Sequence, residues 1–475
     1  MSERIPAQII DTIDPRQPVR LTPAQAGGPI HTRSFSGLYR NLRLYGAGLL
    51  MLIFFGTAWL DWDGRQAVLW NLAEHRYYIF GATFWPQDFI LLSALLIICA
   101  FGLFTITVFA GRVWCGYSCP QSVWTWLFMW LEKLTEGERH QRIKLDAAPW
   151  GPAKLLRRSA KHLLWLALSL LTALTFVGYF TPIRPLALEL FTWQLDGATL
   201  FWVLFFTSAT YLNAGWLREK VCVYMCPYAR FQGVMFDKDT LLVAYDAARG
   251  EKRGPRRKDA DHRAEGLGDC IDCTMCVQVC PTGIDIRNGL QYECIGCAAC
   301  IDACDEVMTK IGSPKGLIRY TTEAALEGKY PESAIASRLT RPRVVMYTLV
   351  LAVIFIAAIT SLAMRKPFKV DIIRDRASLV RETDDGLLEN TYSLRIMNVS
   401  EQAQTFRIKV EGLDGIKLVS EKPTYRVEGM SNELITVHAQ AAPEVATKGS
   451  HEIHFTIESL GDQISVEEKS SFIGE

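Results

Sequence analysis

Five stretches of this 475-residue chain carry no charged residue: Leu44 to Leu60, Phe89 to Gly111, Leu163 to Phe180, Leu200 to Leu217 and Val344 to Met364. Each is long enough to be read as crossing a bilayer core about 30 Å thick. A backbone in lipid must satisfy its own polar groups, so a five-helix transmembrane bundle is expected. The first, third and fourth stretches sit near the short limit, where a buried core helix is the alternative. The net charge is only +1, which leaves no global signal for a nucleic-acid partner.

Charge between the stretches sets the expected orientation. Residues 1–43 are polar, basic and dotted with proline, without the apolar region of a cleavable signal peptide, so the first helix is expected to remain as an anchor. Arg4, Arg16, Arg20, Arg33, Arg40 and Arg43 precede it. The loop 112–158 is also rich in Lys and Arg, whereas the alternate loops hold only Arg65, Arg76 and Arg184. By the positive-inside rule the N-terminus and residues 218–342 face the cytoplasm, and 365–475 lie on the outer side. The expected divisions are an N-terminal segment (1–43), helices one to four (44–235), a cytoplasmic linker and cysteine-rich domain (236–342), helix five (343–364) and an outer domain (365–475).

Eight of the 13 cysteines fall in two runs of C-x2-C-x2-C-x3-C: Cys270, Cys273, Cys276 and Cys280, then Cys294, Cys297, Cys300 and Cys304. This is the spacing of a bacterial two-cluster ferredoxin. Three thiolates in a tight loop wrap one inorganic core, while the fourth reaches the neighbouring core. One [4Fe-4S] cluster is therefore expected on Cys270, Cys273, Cys276 and Cys304, and the other on Cys294, Cys297, Cys300 and Cys280. Zinc would take four ligands in pairs and leave the eightfold regularity unexplained, and disulfides are disfavoured in a reducing cytoplasm. Asp305 stands where the second run would carry the proline that Pro281 supplies to the first, and its charge is expected to lower the nearby reduction potential. Two adjacent clusters form a relay, so the expected function is electron transfer.

Two further pairs echo each other: RVWCGYSCP (112–120) and KVCVYMCP (220–227). Cys115 with Cys119, and Cys222 with Cys226, would share a face if the turn is helical. Three roles compete: soft-metal ligands for Cu(I), with Met225 as a thioether helper; a redox dithiol, although a disulfide across a helical turn is strained; or buried thiols packing as small apolar groups. Two matched pairs favour a metal or redox role.

The rest of the chain is read more simply. Residues 122–134, rich in tryptophan, suit a helix at the headgroup boundary, and the charged stretch 248–269 reads as a linker. Beyond the last span, TYSLRIMNVS, QTFRIKV, ELITVHA and HEIHFTIES alternate with period two, which argues a cysteine-free immunoglobulin-like β-sandwich. Cys99 is expected in the core and His451 and His454 on opposite faces of a strand. Asp61, Asp63, Asp88, Glu132, Glu136 and Glu138 are expected to be solvated carboxylates.

Taken together, GRVWCGYSCPQ (111–121), DWDGRQAVLW (61–70), FWPQDF (84–89) and the ferredoxin segment with its tail CDEVMTKIGSPKGLIRY (304–320) resemble the cytochrome c oxidase accessory proteins of the CcoG, FixG or RdxA family. The likeness runs from about residue 33 into the C-terminal sandwich. It implies a multi-pass protein of the bacterial cytoplasmic membrane with its C-terminal domain in the periplasm. It also implies a role in assembling a cbb-type oxidase by reducing Cu(II) to Cu(I), with copper chaperones and oxidase assembly factors as partners and a separate electron donor. By position the eight ferredoxin cysteines would hold the clusters, and Cys115, Cys119, Cys222 and Cys226 match the family's C-x3-C-P motifs. A quinol-linked polyferredoxin subunit and a copper-binding assembly scaffold are the alternatives.

Overall fold

A computed structural model describes residues 30–255, 264, 266–364, 366–375, 380–383, 385–400, 402–429, 431–461 and 463–474. The chain divides into two compact units. One takes in residues up to Asn71 together with Ser93–Phe355, and the other Leu72–Leu92 with Ile356–Glu475. The expected N-terminal segment lies largely outside the described residues, as does the middle of the linker.

Among the described residues four helices are long and apolar enough to cross a membrane: Phe89–Ala110, Pro152–Val177, Gly197–Leu217 and the one ending at Ala363. The outer surface of Phe89–Ala110 is left almost wholly to its surroundings, and Cys99, expected in a core, is exposed on it. The first expected span forms a helix too, Leu38–Thr57. It begins six residues early, so Arg40 and Arg43 enter its first turns, and it is not among the four. The third begins at Pro152, where proline at the first helical position is pre-set for φ. Its first turns therefore carry Lys154, Arg157, Arg158 and Lys161.

Two of those charges, with Arg142 and Arg218 from other segments, meet two carboxylates that the sequence reading placed in solvent. The helix Pro120–Glu136 turns Phe128 and Leu131 into the interior together with Glu132 and Glu136. Glu132 pairs with Arg142 (3.1 Å) and Arg218 (2.5 Å), and Glu136 pairs with Arg158 (2.9 Å) and Lys161 (3.0 Å). Residues four apart share a helix face, so the two acids are buried along one stripe. The expectation of solvated carboxylates is corrected for both, because each has a cationic partner waiting on a neighbouring helix. Glu138, past the helix end, stays at the surface with Lys133 (2.8 Å). In the second unit Asp88 is corrected likewise: it is buried, accepts the Trp85 N–H (3.0 Å) and pairs with Lys369.

The ferredoxin region is closed by an antiparallel ribbon of Leu242–Tyr245 on Ile318–Thr321, with Val243 opposite Tyr320. The ends of the charged linker are fastened to it: Arg249 bonds Asp269 (2.5 Å) and the Lys315 carbonyl (2.9 Å). On the other side Asp302 accepts the N–H groups of Tyr39 (3.3 Å) and Arg40 (2.7 Å), capping the helix Leu38–Thr57. Gly37 is required there, since a Cβ would stand 2.2 Å from the Asp302 carboxyl carbon.

The C-terminal region is a sandwich of two antiparallel sheets. One orders the strands Lys417–Ser420, Asn432–Ala441, Leu388–Asn398 and Phe368–Arg374; the other Tyr425–Val427, Gln404–Glu411, Gly449–Ser459 and Ser465–Gly474. The alternation seen in the sequence is the burial pattern. Tyr392, Leu394 and Ile396 from one sheet meet Phe406, Phe455 and Ile457 from the other in one core. Their polar neighbours face out.

Candidate functional site

The two cysteine runs follow the same backbone path. On either side of each middle cysteine the chain is left-handed: Asp272 (φ 54°) and Thr274 (56°) flank Cys273, and Gly296 (65°) and Ala298 (59°) flank Cys297. For a residue with a side chain this costs about 1–3 kcal/mol, and three of the four are not glycine. Such alternation turns successive N–H groups toward one concave side, a nest suited to anionic sulfur. Each loop then enters a helix, Met275–Gln278 or Ala299–Lys310, that carries the third cysteine of its run.

Two small cavities result. Cys270, Cys273, Cys276 and Cys304 line one. Cys280, Cys294, Cys297 and Cys300 line the other, and Cys276 lines both. The fourth cysteine of each run thus faces the cavity of the other run. All thirteen cysteines are free thiols. Among the described residues no three His, Cys, Asp or Glu side chains close to the spacing of a single-ion site, as zinc would need; a broader cluster sets its ligands farther apart. Burial pushes the Cys276 thiol up to about 12, with the Arg287 guanidinium opposing the rise, and holds Cys300 well above its ordinary value. Arg287 is itself fixed by Asp285 (2.7 Å) and Asp272 (2.5 Å). A thiolate in these positions calls for a positively charged core, and the donor set fits an iron–sulfur cluster in each cavity.

The paired motifs are a structural repeat. Each first cysteine stands five residues past a candidate span, Cys115 after Ala110 and Cys222 after Leu217. Each sits in a short helical turn, Val113–Tyr117 or the π-helical Val221–Met225. The second cysteine breaks the turn: Cys119 (φ −61°, ψ 127°) and Cys226 (φ −78°, ψ 111°) are extended, and Pro120 and Pro227 open the helices that follow. The condition for a shared face, one continuous helical turn, is therefore not met. The proline after each second cysteine begins the next helix with that cysteine as N-cap, one of the two roles its place in the motif implies.

The four thiols nevertheless lie within electrostatic range of one another, although among the described residues no three of them close on one ion. Cys222 feels the charge of Cys119, Cys115 and Cys226, and Cys115 that of Cys119 and Cys226; burial, the larger effect, pushes Cys222 up to about 12 and Cys115 to about 11. Cys115 also hydrogen-bonds the buried Gln232, whose Nε2 lies 3.5 Å from its Sγ. Tyr224 and Met225, by contrast, are largely exposed (73 % and 61 %).

The first motif presses on the ferredoxin region through residues that the cysteine pattern did not single out. A Cβ on Gly116 would meet the Cys297 Cα at 2.8 Å and the Ile295 carbonyl at 2.9 Å. Tyr320 donates to the Gly296 carbonyl (2.7 Å) and meets Tyr117 (3.3 Å). Arg112 reaches the carbonyls of Tyr292, Cys294 (3.2 Å) and Ala229 (3.0 Å), tying the loop of one cavity to the helix after Cys226. The sequence did hold one clue: the repeat has Gly116 where its counterpart has Val223, and it is Gly116 that packs against the cysteine loop. Gly116→Val is expected to alter the spectroscopic signature of the cluster in the cavity lined by Cys297 and to leave the other unchanged. Electron paramagnetic resonance on the reduced protein separates the two, since backbone atoms at that distance cannot move aside locally.

Residues 217–323 match the family described as "4Fe-4S dicluster domain", 92–134 the "4Fe-4S binding domain" and 358–475 the "IG-like fold at C-terminal of FixG". These matches indicate iron–sulfur clusters, and the second covers Cys115 and Cys119. The chain is 39% identical to protein RdxB of Cereibacter sphaeroides over 432 residues, 89% of this chain and 90% of that one. It is 40% identical to RdxA of the same organism over 82% of this chain and 83% of that one. With the nitrogen fixation protein FixG of Rhizobium meliloti it shares 36% identity over 81% and 79%. A crystal structure of a FixG-related protein from Vibrio parahaemolyticus is 27% identical, spans 23% of this chain and 99% of its own, and has a TM-score of 0.22.

Proposed function

Because the chain belongs to the FixG/RdxA family of iron–sulfur electron-transfer proteins, we propose that it delivers electrons through its ferredoxin region to Cu(II) at the four-thiol site, for assembly of a cbb-type cytochrome c oxidase. The single observation that carries this reading is the direct packing of the Cys115–Cys119 turn on the Cys294–Cys297 loop.

In this reading Cys270, Cys273, Cys276 and Cys304 hold one [4Fe-4S] cluster, and Cys294, Cys297, Cys300 and Cys280 the other. When bound, the clusters carry electrons one at a time. The chain's own residues do the rest. Buried aliphatic neighbours such as Ile286, Ile301 and Leu317 keep water from the thiols, Arg287 offsets negative charge beside Cys276, and Arg112 holds the loop against the paired motifs. Cu(II) is the substrate, a one-electron acceptor, and the product Cu(I) is a soft ion that prefers sulfur. Capture needs only one of the two pairs, in keeping with four thiols that do not close on a single ion. The positive-inside pattern supports placing this site on the cytoplasmic face and the sandwich in the periplasm, where it would meet assembly factors. Copper chaperones are the proposed recipients of Cu(I).

The test is anaerobic Cu(II) reduction by protein whose clusters have been reduced in advance, with one electron passed per Cu(I) formed. Cys270→Ser and Cys294→Ser are each expected to lower the rate at least about tenfold; an unchanged rate in both would sink the proposal.

A further inference from the structure

A cavity of ≈ 590 Å³ lies among the helices Leu38–Thr57, Pro120–Glu136, Pro152–Val177 and Gly197–Leu217. Its lining includes the aromatic Phe54, Trp124, Phe176 and Phe206, and also Ser118 and Pro120, the two neighbours of Cys119. Polar groups are confined to a few positions. Trp124 Nε1 donates to Thr172 (3.0 Å), and Gln121 Nε2 donates to the carbonyls of Asn213 (2.9 Å) and Arg218 (3.1 Å). Asn213 lies in a π-helical segment, Tyr211–Leu217, a distortion that costs regular hydrogen bonding and is frequent at functional sites. Within the described residues no hydrogen bond engages its side-chain amide, which belongs to a residue lining the cavity.

This combination selects its occupant. An acyl chain would need no polar row, and a water-soluble carrier would not partition among spanning helices. A flat, lipid-soluble ring with two oxygen substituents satisfies both walls and polar positions, and its place beside Cys119 makes electron transfer the natural use. We propose that this cavity binds a membrane quinol, which is the electron donor of the chain. The inference rests on the relay described above. Each turnover oxidises one quinol to quinone. Its O–H bonds break, two protons pass to water, and two electrons leave singly toward the iron–sulfur relay, enough to reduce two Cu(II) ions.

The experiment uses the purified full-length protein with its clusters in place and decylubiquinol as the probe. Wild type is expected to show cluster reduction by the quinol, and an azido-quinone photolabel is expected to mark residues within 118–124, 172–176 or 206–214. Ala209→Trp, which fills the cavity, and Asn213→Leu, which removes the amide at similar size, are expected to slow quinol-driven reduction at least about tenfold and to weaken labelling. Dithionite reduction and iron content are expected to stay as in wild type. Labelling confined to other segments, no cluster reduction by quinol in wild type, or wild-type rates in both variants would each overturn the proposal. Failure of dithionite-reduced wild type to reduce Cu(II) would instead overturn the copper reading, and quinol-driven cluster reduction would still stand.

Discussion

Replacing Cys115 and Cys222 together by serine is expected to lower Cu(II) reduction at least about tenfold while iron stays at about eight atoms per chain. Serine keeps the size of the side chain and the contact with Gln232 but supplies a hard oxygen where Cu(I) prefers sulfur. One cysteine remains in each pair, so neither pair can offer two thiolates to the product. The eight ferredoxin thiols line their own cavities, which is why the iron should not follow. Iron analysis and resonance spectra on the same samples decide the matter. A fall from about twelve iron atoms to about eight would mean that the four thiols hold a third cluster, in line with the match of residues 92–134 to a 4Fe-4S binding domain. Unchanged copper reduction would remove the thiols from the mechanism.

Glu136→Ala is expected to destabilise the helical unit by about 3–5 kcal/mol, the usual cost of leaving a buried charge without its partner. Glu136 is 1% exposed and Lys161 only 7%, so the ammonium left behind is largely shielded from solvent. Arg158 loses a contact as well, but it is more exposed and keeps Asp146. The measurement is thermal unfolding in detergent micelles. The double variant Glu136→Ala/Lys161→Met is expected to recover much of the loss, because removing both charges avoids the uncompensated one. If the single variant melts with wild type, the pair is worth no more than a surface ion pair.

Much of the fold was legible because its signals are periodic or spaced. Alternation in the last hundred residues became the inward row Tyr392, Leu394 and Ile396, since a strand sends successive side chains to opposite faces. The eight cysteines declared two ligand loops, because a cluster held by a short segment needs that spacing. The reading of Glu132 and Glu136 failed for a reason of the same kind. A charged residue on a helix gives no sign of whether its face is covered, and the cations that cover them are contributed by other segments: Arg142, Lys161 and Arg218. The helix Leu38–Thr57 likewise began earlier than its apolar run, since Asp302, more than two hundred and fifty residues away, caps its start.

By itself, then, the sequence determined the chemistry of the donors and the existence of the long apolar helices and the sandwich strands, because cysteine spacing and hydrophobic period are local properties of the chain. Only the tertiary structure decided proximity. It brought Cys115 and Cys119 beside Cys222 and Cys226, set Gly116 against Cys297, and opened an aromatic cavity next to Pro120. Those juxtapositions join segments about a hundred or more residues apart. They depend on which helix faces find partners, and that is fixed by packing between elements.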